Sequence, residues 1–138
     1  MPKSFIRSYW MTVLLCVVIF ILSTITFKEI PNVAKFKNSD KMTHILMYIV
    51  LGFFFYYEFI KDKVLKSKFK NWFWIVFVIL VAFGGIIEIL QGTIFKPRTA
   101  EFMDWIADIV GLLIGSGVGK IIFSNLKPFM NNKNKSEL

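Results

Sequence analysis

The sequence has one cysteine, one histidine, and nine acidic residues against seventeen basic ones. The lone Cys16 excludes an internal disulfide, and its place inside an apolar stretch reads as a buried structural thiol. With His44 as the only imidazole and no tight ligand spacing around it, no metal or cofactor is expected. Serine and cysteine nucleophiles are missing near the polar residues discussed below, and Thr43 and Thr99 have no evident activating partner. The first apolar stretch lacks an A-x-A cleavage pattern after it and is too long for a signal-peptide core, so it reads as a retained helix.

What the sequence does have is apolar surface. Of 138 residues, 56% are hydrophobic, and the mean hydropathy is +0.61. A soluble domain of this size would need a core too large for its own surface, so the membrane class is favoured. The net charge of +8 comes mostly from lysines between and beyond the apolar segments. That pattern suits loops touching anionic lipid rather than a nucleic-acid partner.

Four apolar segments, at about 8–27, 40–60, 72–91 and 104–123, each approach the length of a spanning helix. The expected fold is therefore all-α: a polytopic membrane protein with four transmembrane helices in one bundle over residues 1–126. A polar cytoplasmic tail over 127–138 is expected to be disordered. With the N-terminus inside, one face receives eleven basic residues, including the Lys61, Lys63, Lys66, Lys68 and Lys70 loop, and the other six. The positive-inside rule then puts both termini in the cytoplasm and loops 28–39 and 92–103 outside. Trp72 and Trp74 fall at the inner interface, Trp105 at the outer.

An ionisable side chain at the centre of a spanning helix costs about 2.5–3.5 kcal/mol on insertion scales. His44, Glu88 and Asp108 lie only roughly 4.5–6 Å inside the outer ends of their helices, at 1.5 Å per residue. Asp40, His44, Tyr48 and Gly52 share one stripe, Gly84, Glu88 and Gln91 a second, and Asp104, Asp108, Gly111, Gly115 and Gly119 a third. Three helices thus deliver polar groups to one shallow layer, and the glycines form a small-xxx-small packing ladder. Simpler roles exist for some of these residues. Asp104 and Asp40 suit helix N-termini, Lys41 can snorkel, and Glu58 and Asp62 are expected to pair with the lysine loop in solvent.

Asp40-Lys41-x-x-His44-x-x-x-Tyr48 followed by Leu51-Gly52 resembles the opening motif of the VanZ-like family. Glu88-x-x-Gln91, then Arg98, then Asp104-x-x-x-Asp108-x-x-Gly111-x-x-x-Gly115 resembles its second motif. The resemblance covers about residues 36–119. It departs at Asp108, where the family usually has Asn, which adds a potential negative charge. The resemblance implies a multi-pass protein of the bacterial plasma membrane, associated with resistance to teicoplanin-type glycopeptides that act on the cell wall.

Three functions compete. The first is an outer-leaflet pocket for an amphiphilic ligand, either a lipid-linked cell-wall precursor or a lipoglycopeptide. Arg98 and Lys41 would meet an anionic head group. Asp40, Tyr48, Glu88, Gln91, Asp104 and Asp108 would hold polar groups, and Phe53 to Tyr57 would line an acyl groove or meet lipid. The second is an enzyme acting on such a lipid, with His44 as acid or base and Glu88 or Asp104 as its catalytic partner. The third is a small proton-coupled transporter, disfavoured because transporter sites lie near the midplane.

Overall fold

A computed structural model describes the backbone at residues 2–24, 39–94 and 100–136, and side chains at 5–24, 41–94 and 100–126. Arg98 lies outside the described residues, as do nearly all of loop 28–39 and the middle of loop 92–103. Every regular element among the described residues is helical: α1 (Pro2–Ser8), α2 (Trp10–Thr24), α3 (Ser39–Lys61), α4 (Lys63–Lys68), α5 (Trp72–Thr93) and α6 (Phe102–Ser136).

Three helical stretches, Lys41–Lys61, Trp72–Thr93 and Phe102–Leu126, are long and apolar enough to cross a membrane. The first expected span, 8–27, runs past the described residues, and within them α2 holds 15 residues. It does join α1 through helical hydrogen bonds across the bend at Tyr9, from Tyr9 N to Phe5 O and from Val13 N to Tyr9 O, both 2.9 Å. Two further differences concern polar segments. The lysine-rich connection contains α4, because Asp62 caps it by accepting from Val64 N at 3.1 Å and Leu65 N at 3.0 Å. The segment expected to be a disordered tail continues α6 to Ser136; extending an existing helix avoids the cost of nucleating a new one.

The tightest packing joins α3 to α6, which run parallel. A Cβ at Gly111 would lie 2.6 Å from Ile45 O, and one at Gly52 would lie 2.6 Å from Leu112 O. Gly115 sits directly against the carbonyl of Ile49, and Gly119 against Tyr56. The ladder read from the sequence is thus a backbone-to-backbone contact that a side chain would prop open. Such contact matters in lipid, where apolar burial gives helices little reason to associate.

Along α3 the buried side chains among the described residues are those of His44, Tyr48, Leu51, Phe55 and Glu58, at spacings of three and four. Phe55 stacks on Phe73 with ring centroids 5.3 Å apart, and Phe53 and Tyr57 pack on Phe123. The aromatic run therefore packs largely within the bundle, near the end opposite His44. Large apolar side chains such as Val78, Ile86, Ile89, Leu113 and Ile121 point outward. This inside-out distribution suits an apolar solvent.

Glu58 is buried rather than solvated with the lysines. Its carboxylate accepts from Met11 N at 2.8 Å, Thr12 N at 3.0 Å and the Thr12 hydroxyl at 2.6 Å, closing the N-terminus of α2. Trp72 Nε1 donates to the Tyr9 hydroxyl at 2.8 Å near the same end.

Gly115→Leu should push α3 off α6, with a cost of at least about 1–3 kcal/mol for overpacking. Gly117→Leu should be nearly silent, since nothing lies within 4 Å of a Cβ there. Thermal unfolding of the detergent-solubilised protein, followed by tryptophan fluorescence, separates the two. Equal melting midpoints would contradict the close-contact reading.

Candidate functional site

Because α3 and α6 run parallel in this register, the first turns of α3 face the first turns of α6, and the last turns of α5 close the third side. His44, Glu88 and Asp108 meet there, and all three are buried. His44 Nδ1 lies 2.9 Å from Asp108 Oδ1, a hydrogen bond in which the imidazole donates to the carboxylate in its Nδ1–H tautomer. Glu88 Oε1 lies 4.0 Å from the same nitrogen. The other Glu88 oxygen accepts from Glu101 N at 3.3 Å, which ties α5 to the approach of α6.

Three polar atoms of this cluster have no hydrogen-bond partner among the described residues: Glu88 Oε1, Asp108 Oδ2 and the Tyr48 hydroxyl. Two of them flank Gly84. A Cβ there would lie 2.9 Å from Asp108 Oδ2 and 3.1 Å from the Tyr48 oxygen. Gly84 therefore leaves the room in which a buried carboxylate and a buried phenol stand side by side. Buried polar groups are nearly always paired, so this concentration of unsatisfied oxygen marks the site.

Toward the helix ends the cluster becomes a partly exposed rim. Lys41 Nζ bridges Glu101 Oε2 at 2.9 Å and Asp104 Oδ1 at 3.9 Å. Asp104 is buried in the first turn of α6, where an acid is favoured by the helix dipole. The Lys41–Glu101 pair, half open to its surroundings, contributes little stability but places a cation beside the buried acids.

The remaining sequence candidates fall elsewhere. Gln91 is buried but turned away: its Nε2 donates to Ser23 O at 2.8 Å and so holds the C-terminal end of α2. The backbone of Asp40 lies in α3, while its side chain, like Arg98, is outside the described residues. Glu101 was visible in the sequence only as a loop acid. Its ion pair with Lys41 and backbone bond to Glu88 span 60 and 13 residues, and no local pattern encodes either.

Against the outer side of Glu88 lies a cavity of about 510 Å³. Its wall is almost wholly apolar, made by Ala82, Ile86 and Ile89 of α5 and Phe102 and Trp105 of α6, with Glu88 and Glu101 as its charged members. Trp105 Nε1 donates to Val81 O at 2.9 Å, so the indole lies along α5 beside Gly85 and shapes the cavity floor.

A family model described as VanZ/LLP1 matches residues 4–123. That is most of the chain, and the protein belongs to this family. With its three apolar helices of spanning length, membership marks it as a membrane protein. No curated protein and no solved structure matches it.

Asp108→Ala would leave the His44 N–H buried without an acceptor, at a cost of about 1–3 kcal/mol. Asp108→Asn keeps a carbonyl oxygen for that N–H and should cost less than about 1 kcal/mol. Melting midpoints in one detergent give the comparison, and equal losses for both variants would show that the hydrogen bond does not hold α3 to α6.

Proposed function

We propose that this VanZ/LLP1 family member spans the bacterial plasma membrane four times with both termini in the cytoplasm. We further propose that its polar cluster receives the head of an amphiphilic envelope ligand at the outer leaflet. The ligand is a lipid-linked cell-wall precursor or a lipoglycopeptide, and its capture contributes to resistance to teicoplanin-type glycopeptides. The observation that carries this reading is the juxtaposition of an apolar cavity with a buried polar cluster, sharing Glu88 as their common wall. A ligand with a hydrocarbon chain and a polar end matches both halves, as binding sites generally pair apolar walls with a few placed polar groups. The helical hydrogen bonds through Tyr9 support a first span made of α1 and α2 together.

In this arrangement the chain lies along Ile86, Ile89 and Trp105. The polar end meets Glu88 and the Lys41–Glu101 rim, with Arg98 and Asp40 proposed as further contacts to an anionic or polar head group. Asp104 and Tyr48 complete the polar surroundings. Gln91 keeps α2 in place.

A second reading, an enzyme acting on such a lipid, draws on one specific contact. His44 bonded to Asp108 at 2.9 Å is a histidine oriented by a carboxylate, the arrangement of a general acid or base. In that reading Glu88 faces the substrate, and Asp108 orients His44 in place of the Asp104 partner expected from sequence.

Ala82→Trp should fill the cavity, and Glu88→Gln should remove the charge from its wall. Each is expected to abolish protection against teicoplanin in a bacterial host at unchanged membrane protein level. Unaltered susceptibility with both variants would dispose of the ligand pocket. For the topology, reporters fused at each terminus should be active only as cytoplasmic fusions; an externally active fusion at either end would refute the four-span arrangement.

A further inference from the structure

We propose that His44, Glu88 and Asp108 form a binding site for one divalent transition-metal ion of the zinc type. One donor atom from each residue, an imidazole nitrogen and two carboxylate oxygens, lies within 4.8 Å of the other two. Donors bound to zinc at about 2.0–2.2 Å stand roughly 3.3–3.5 Å apart in a tetrahedral site. The trio therefore needs to draw in by about an ångström, and His44 must take its Nε2–H tautomer, so that Nδ1 exchanges its proton and the hydrogen bond to Asp108 for the ion.

Two observations separate this site from an ordinary acidic cluster. Glu88 Oε1 is buried, has no hydrogen-bond partner among the described residues, and stands 4.0 Å from His44 Nδ1. It is a donor held at the place where a third ligand belongs. Asp108 Oδ2 is likewise without a partner, so Asp108 can turn either oxygen to the ion. The chemistry of the set also fits. One imidazole with two carboxylates suits zinc or manganese better than calcium or magnesium, which take oxygen alone.

Charge points the same way. With both carboxyl groups ionised and the imidazole neutral, the trio would carry two negative charges in a region of low dielectric, and a divalent cation would cancel both. Lys41 is engaged with Glu101 and Asp104 at the rim. Three protein ligands leave a fourth position, the pattern of zinc sites that bind water or a ligand atom. This inference does not depend on the ligand proposed above, because the ion is measured on the chain without any lipid substrate.

The test uses the untagged full-length chain in detergent, stripped with chelator and then equilibrated with Zn²⁺, or in parallel with Mn²⁺. Excess ion is removed by gel filtration and the bound metal counted by mass spectrometry. One ion per chain is expected for the wild type. Asp108→Asn and Glu88→Gln, which preserve shape and an acceptor oxygen, are each expected to weaken retention by more than about tenfold while eluting as the wild type does. Co²⁺ in the intact wild type should give the visible absorption bands of a low-coordinate site, a readout that needs no variant. A wild type that retains neither ion, or variants that retain as much as the wild type, overturns the proposal; so does Co²⁺ bound with only the weak bands of an octahedral aquo ion.

Discussion

The backbone of α3 lies against the backbone of α6, and the rest of the molecule is arranged around that contact. Gly111 and Gly115 have no side chain to hold the carbonyls of Ile45 and Ile49 away, and Gly52 removes the obstacle from the other side. In lipid the hydrophobic effect does not choose between helix registers, so a steric fit of this kind must. A slip of four residues along α6 would set His44 opposite Asp104 or Leu112 instead of Asp108. The glycine ladder thus fixes which acid the histidine meets, and packing and site chemistry are one constraint.

Polar contacts supply what the ladder cannot, which is the attachment of α2. Its middle packs loosely against α5, leaving an apolar cavity of about 320 Å³ lined by Val13, Cys16, Phe20 and Phe83 among others. Its ends are held instead. Glu58 closes the N-terminal end with three hydrogen bonds, and Gln91 takes the Ser23 carbonyl at the other. Each attachment satisfies backbone groups that a helix end leaves open. In hydrocarbon such groups have no water to turn to, so the ends contribute more to position than an apolar seam of the same length. Burial of Glu58 and Gln91 is therefore architectural, while burial of Glu88 and Asp108 leaves oxygens without a partner among the described residues and has no such explanation.

How much of this could be read from the chain depends on the range of the interaction. Helix limits on α3 and α5 follow from local composition, and 40–60 and 72–91 lie within a residue or two of the observed ends. The meeting of His44, Glu88 and Asp108 was legible because depth in a membrane is a coordinate that sequence supplies directly. Orientation about the helix axis was less so. Gln91 shares a stripe with Glu88, yet it turns to α2, a neighbour that no periodicity on α5 specifies. Glu58 was misassigned to solvent because it stands near lysines. The better signal was its place in the run His44, Tyr48, Leu51, Phe55, Glu58, which continues the buried face at three- and four-residue steps. α4 was missed for a related reason: five lysines obscured the Asp62 cap that starts it.

Asp108 is the second buried carboxylate beside His44, and the geometry gives its charge a consequence. An asparagine there could still accept the His44 N–H, so the helix contact does not require an acid. What the acid adds is a second negative charge beside Glu88, in a place where a lone charge is costly and a pair more so. Two buried carboxylates against one imidazole need two positive charges from somewhere. Protons can provide them one at a time, and a divalent ion provides both at once while using the oxygens that hydrogen bonding among the described residues leaves idle. An ion at this place would answer a charge that Asp108 adds beyond what the contact between α3 and α6 requires.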